Sequence, residues 1–145
     1  MQLAEIMQKN VKTIRPEATL QEAGQEMAKY DIGSLVVING SGKLVGIITD
    51  SDIIKKAVAD GDDTSKVKVS EIMTKDVIVA DPKATLEEAA DVMIKYKIKH
   101  LPVIDKGEVV GMVTGTDLIT YEDALIEKIA GLLMLKRGDG VDVGG

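Results

Sequence analysis

The sequence predicts an α+β protein in which one strand–helix–strand–strand–helix unit is used twice, and three observations lead there. Residues 1–38 match residues 67–104 at a constant offset of 66, with 18 identities in 38 pairs, where ordinary residue usage gives about two or three by chance. Each copy carries a stretch with a helical apolar stripe, followed by short apolar runs of strand length. Turn-forming residues separate those runs. Two copies are too few for a solenoid. A half-length piece is marginal alone, so the copies are expected to face each other across a pseudo-twofold.

The elements follow in the same order in each copy. "EIM" opens both, at 5–7 and 71–73. "VKTI" (11–14) and "VIVA" (77–80) are short strands leading to Pro16 and Pro82, which disfavour helix in the residue before them. Thr19 with Glu22, and Thr85 with Glu88, have the spacing of capping boxes that start helices. Leu20, Ala23 and Met27 form the apolar stripe of the first helix; Leu86, Ala89, Ala90, Met93 and Ile94 form that of the second. "SLVVI" (34–38) and "LPVI" (101–104) turn through "NGSGK" and "DKG" into "LVGIIT" and "VVGMVT", giving two hairpins. The second turn is one residue shorter, so "GIITDSD" (46–52) returns as "GMVTGTD" (111–117). A helix follows from Asp50 and from Gly115. The expected boundaries are 1–60 for the first repeat, 61–68 for a polar linker, 69–136 for the second repeat with an extended last helix, and 137–145 for a flexible tail. In that last helix Leu125, Ile126, Ile129, Leu132 and Leu133 give an apolar face that covers the first copy's core or meets another chain.

Composition removes several function classes. With 24 acidic against 18 basic residues, a net charge of −6 and no strong segregation of the basic groups, the surface repels a phosphate backbone. No Phe or Trp and only three Tyr leave no stacking platform for single strands. Nucleic acid is therefore not expected as a main partner. No run of 18 apolar residues indicates a membrane-inserted helix, and "MQLAEIMQKNVK" lacks the basic start and apolar stretch of a signal peptide. The absence of Cys excludes disulfides and suits a reducing cytoplasm, the expected location. A single His and no Cys leave little for a transition metal, and no metal ligands are assigned. No Ser–His–Asp triad is suggested, so no catalytic residue is named and the chain is not expected to be an enzyme. "GSGK" (40–43) lacks the Ser or Thr and the helix that a phosphate loop needs after its Lys, and is a hairpin turn.

The repeated Thr-x-x-Asp is the pattern left to explain. Asp50 is read as a plain helix cap, because the second copy has Gly115 there. Thr49 with Asp52, and Thr114 with Asp117, lie one helical turn apart at a strand-to-helix junction in both copies. Two readings stay open. The pair caps the helix, or its carboxylate accepts hydrogen bonds from a vicinal diol while the Thr hydroxyl and nearby N–H groups meet phosphate oxygens.

The doubled pattern "EIM…V…P-x-ATL-x-EA…M…Y-x-I…L-x-V-I…G-x-x-T-x-x-D" resembles the cystathionine β-synthase (CBS) domain, and the pair resembles a stand-alone Bateman module. The resemblance covers about residues 1–120. It implies an adenosine-containing ligand in the cleft between paired repeats: AMP, ADP or ATP, or else S-adenosylmethionine, NAD or cyclic di-AMP. It implies no catalytic cofactor. It further implies regulation of a partner protein and a homodimer. In such composite sites Thr49 and Asp52 pair with Val77, Ile78, Pro82, Ile98, Lys99, His100, Leu101 and Pro102. Thr114 and Asp117 pair with Val11, Lys12, Pro16, Ile32, Gly33, Ser34 and Leu35. Asp52 and Asp117 are implied to hold ribose, and the threonines to help with phosphate or ribose. Lys99 and His100 then make the Asp52 site the one that prefers a phosphorylated ligand, since charge-assisted bonds are roughly twice as strong as neutral ones. The competing expectation is a constitutive dimerisation or scaffold module with vestigial clefts.

Overall fold

The computed structural model describes residues 1–121 and 126–135. The chain divides into two compact units whose limits differ from the sequence repeats. One, here the continuous unit, is Val11–Val77; the other, the split unit, joins Met1–Asn10 to Ile78–Gly145. Each unit therefore contains the opening arm of the other repeat.

The continuous unit holds β1 (Thr13–Ile14), α2 (Leu20–Tyr30), β2 (Ser34–Ile38), β3 (Leu44–Thr49), α3 (Asp50–Ile53) and α4 (Val69–Ile72). Its sheet has the order β1–β2–β3, with β1 parallel and β3 antiparallel to β2. After α3 the helix widens to a π-helical turn, Ile54–Val58, which leaves Ile54 and Val58 exposed and turns Ala57 into the core. The core itself gathers Leu20, Ala23 and Met27 of α2 with Leu35, Val37, Ile48, Ala57 and Val69.

The split unit holds α1 (Leu3–Ile6), α5 (Leu86–Tyr96), β4 (His100–Asp105), β5 (Glu108–Thr114), α6 (Gly115–Tyr121) and α7 (Ile126–Leu135). Its core joins Leu3 and Ile6 of the arm to Leu86, Ala89, Ala90, Met93, Leu101, Val103, Val113, Leu118, Ile129 and Leu132. Ile129 and Leu132 thus cover the second copy's core, and neither expected alternative for the last helix holds for them. Leu133 is left 38% exposed at its rim. Leu125 and the tail 137–145 lie outside the described residues, as does the Ile126 side chain.

The strand expected at "VIVA" shrinks to one parallel bridge, Ala80 with Val103. The reason is a single residue. In the continuous unit the Val36 N–H donates to the Lys12 carbonyl at 3.2 Å; its counterpart 66 residues on is Pro102, which has no N–H to give. The helix starts follow expectation more closely. Thr85 and Glu88 form a complete capping box, while Thr19 accepts from the Glu22 N–H without the reciprocal bond. Both long helices end on a left-handed residue, Asp31 (φ 53°) and Lys97 (φ 55°).

The arms are clamped alike. Leu3 and Ala4 N–H groups donate to the Ala84 and Pro82 carbonyls, and Val69 and Ser70 N–H groups to those of Ala18 and Pro16. Gln8 and Met112 exchange two backbone bonds of 2.9 and 3.0 Å, as do Thr74 and Ile47. Methionine then lies where a side chain would otherwise stand: Met7 against Gly111, Met73 against Gly46. The glycine of each "G-x-x-T-x-x-D" is the seat of the arm's methionine.

Candidate functional site

In the continuous unit, β3 delivers Thr49 to the start of α3. The Thr49 Oγ1 accepts from the Asp52 N–H at 3.0 Å, and the Asp52 Oδ2 accepts from the Thr49 N–H at 3.2 Å. Thr49 is therefore the cap and Asp52 its reciprocal partner. Asp50, expected to be the cap, sits inside the first turn, where its Oδ1 accepts from the Ser51 N–H at 2.7 Å. The outer oxygen of Asp52 meets Lys56 Nζ at 3.2 Å, one helical turn on, with the two side chains 16% and 50% exposed.

Around that pair the ladder sets Ser34 opposite Thr49, and the Asp50 N–H donates to the Gly33 carbonyl at 3.0 Å. Lys12 keeps its ammonium 4.2 Å from the Tyr30 ring centroid, a cation–π contact. Pro16 serves through its carbonyl as an acceptor for the arm. Leu35 is a core residue, Ile32 packs on the core, and Val11 is partly buried at the unit's start.

The split unit repeats the motif. Thr114 Oγ1 accepts from the Asp117 N–H at 3.2 Å, and Asp117 Oδ2 accepts from the Thr114 N–H at 2.9 Å. Here the residue opposite Thr114 is His100, and the Gly115 N–H donates to the Lys99 carbonyl at 3.1 Å. Both Lys99 and His100 are partly buried. Ile78 and Ile98 pack on the core, Leu101 and Pro102 are buried, and the Pro82 carbonyl is taken by the arm. Val77 closes the continuous unit. Asp117 has a partner with no equivalent in the other copy: Gln8 Nε2 donates to its Oδ1 at 3.2 Å and its Oδ2 at 3.3 Å.

Each Thr–Asp pair thus stands beside the strand start of its own repeat. Within each unit this follows from the hairpin register, which brings positions 34 and 49, and 100 and 114, to the same rung. Within the split unit Lys99 and His100 stand at the strand start beside the Thr114–Asp117 pair; within the continuous unit Gly33 and Ser34 stand beside Thr49 and Asp52. Gln8 and Lys56 were not foreseen. Lys56 was legible as an i,i+4 partner of Asp52, whereas nothing in the chain marks Gln8 as the neighbour of a carboxylate 109 positions away.

Chemically, the capping box uses one carboxylate oxygen of each Asp and the acceptor face of each Thr. The other oxygen looks outward toward an amide or an ammonium. Such a group binds donors. Among the described residues no cluster of three or more His, Asp or Glu is placed to hold a metal ion. No described helix is long and apolar enough to cross a membrane.

Comparison with known proteins agrees with this architecture. The family model described as the CBS domain matches residues 3–59 and again 69–124. MJ1225 of Methanocaldococcus jannaschii is 35% identical over 115 residues, which are 79% of this chain and 40% of that protein, so the chain spans well under half of that relative. YhcV of Bacillus subtilis, a CBS domain-containing protein, is 35% identical over 112 residues, 77% of this chain and 79% of its own length. Among solved structures, the conserved CBS domain protein TA0289 from Thermoplasma acidophilum matches with a TM-score of 0.87 at 27% identity, over 95% of this chain and 77% of that one. Two matched repeats, an α+β hairpin-and-helix unit in each and relatives of the same construction place this chain in the CBS-domain family, as a tandem CBS module.

Proposed function

We propose that the module senses adenine nucleotides of the AMP, ADP or ATP type and modulates a partner protein, without catalysis of its own. A CBS pair is a regulatory module and often binds nucleotides. The observation that carries the finer reading is the grouping in the split unit, where Asp117 shares one strand-to-helix junction with Lys99 and His100. A carboxylate for the ribose diol and a cation for phosphate, here Lys99 with the His100 imidazole beside it, are the two chemistries a nucleoside phosphate requires. The Asp52 group supplies the first but has Gly33 and Ser34 in place of the second, so it is the weaker site or takes a less charged adenosine compound. A homodimer is the assembly proposed.

A constitutive scaffold is the second reading. It draws support from the capping boxes, which account for both Thr–Asp pairs without any ligand. Thermal shift separates the two. A ligand at a hundred times its Kd stabilises by about 2.7 kcal/mol. AMP, ADP, ATP, S-adenosylmethionine, NADH and cyclic di-AMP are screened against the parent chain, Asp52→Ala and Asp117→Ala. The sensor predicts a stabilising shift that Asp117→Ala removes and Asp52→Ala largely keeps. No shift with any of the six leaves the scaffold.

A further inference from the structure

We infer that Gln8 sets how strongly the Asp117 site distinguishes ribonucleotides from 2′-deoxyribonucleotides, by holding one of the carboxylate positions that a ribose diol needs. The inference rests on the nucleotide reading above and deepens it. A carboxylate offers about four acceptor positions. Asp117 gives one on Oδ2 to the Thr114 N–H, and Gln8 Nε2 takes one on each oxygen, at 3.2 Å on Oδ1 and 3.3 Å on Oδ2. One position remains, on Oδ1. A single hydroxyl can use it; a vicinal pair cannot.

Gln8 is not there by accident of a loose side chain. Its backbone exchanges two hydrogen bonds with Met112, its neighbour Met7 rests against Gly111, and Leu3 and Ile6 of the same arm are buried. The amide is thereby presented to Asp117 from a fixed backbone. The equivalent arm position in the continuous unit is Thr74, which makes the same backbone bonds to Ile47 but carries no amide. Asp52 meets Lys56 of its own helix instead. The device is specific to one site.

With Gln8 in place, a ribonucleotide must give up one hydroxyl bond or displace the amide, and a 2′-deoxyribonucleotide loses nothing. Removing the amide frees the second acceptor for the ribose alone. A hydrogen bond to a charged group corresponds to about tenfold or more in affinity. Calorimetric titration of the full chain carrying Asp52→Ala, so that only the split unit's site is read, uses AMP and 2′-deoxy-AMP as probes. Both Gln8→Ala and the longer, donor-free Gln8→Leu are expected to tighten AMP about tenfold and leave 2′-deoxy-AMP within about twofold. An unchanged AMP to 2′-deoxy-AMP ratio in Gln8→Ala overturns the inference while the nucleotide site stands, provided Asp117→Ala abolishes binding. Tightening in Gln8→Ala but not in Gln8→Leu also overturns it, because bulk and not the hydrogen bond is then responsible. If AMP binds none of these chains, or binds Asp117→Ala unchanged, the nucleotide reading fails and takes the inference with it.

Discussion

The two units keep the same backbone arrangement and differ in the side chains around their Thr–Asp pairs. In both, an arm donates two N–H groups to carbonyls of the Pro-x-Ala turn, exchanges two bonds with the returning strand and seats a methionine on a glycine. At the sites the likeness ends: Lys99, His100 and Gln8 stand around Asp117, and Gly33, Ser34 and Lys56 around Asp52. The difference has a physical basis. A backbone bond is indifferent to the side chain that flanks it, so a duplicated chain keeps its ladders while the side chains beside them change. Pro102 is the exception that proves sensitive, since a missing N–H is the one change a ladder does register.

The largest test of that comparison is a cut. If each unit truly depends on the other repeat's arm, a fragment of residues 11–77 keeps a cooperative melt by circular dichroism under conditions where a fragment of residues 1–60 shows none. Equal behaviour of the two would mean that the exchanged arms contribute little. Next comes the feature found in the split unit alone, the α7 packing. Leu132 is fully buried there, so Leu132→Ala is expected to cost about 2–5 kcal/mol in denaturant unfolding, whereas Leu133→Ala, at a 38% exposed position, should lie within about 0.5–1 kcal/mol of the parent. A comparable loss in both would place the helix differently. The mildest test asks whether the shared seats are equivalent. Gly46→Ala and Gly111→Ala each push a Cβ into an arm methionine and should cost about 1–3 kcal/mol. A loss at one glycine only would show that one arm gives way more easily than the other.

Much of each repeat was legible in the chain. Thr85 and Glu88 cap as their spacing implies, the stripes of α2 and α5 are the ones buried, and both hairpins turn where Asn39 and Lys106-Gly107 stand. These are local matters, settled by residues within a few positions of one another. One local reading is corrected. Asp50 is the expected cap, since the second copy has Gly115 in its place, yet the strand runs on to Thr49 and leaves Asp50 helical. The neighbours of each Thr–Asp pair within its own unit follow from the register of two adjacent strands once the hairpin is recognised.

From the chain alone came the doubling, the order of elements, the Thr-x-x-Asp junctions and the exclusion of a basic nucleic-acid surface. Only the tertiary structure decided which core each arm completes, and with it that Gln8 reaches Asp117. "EIM" opens both repeats, so its pattern fits either core equally well. Periodicity records which face of an element is apolar. It carries no information on which of two like grooves that face will fill.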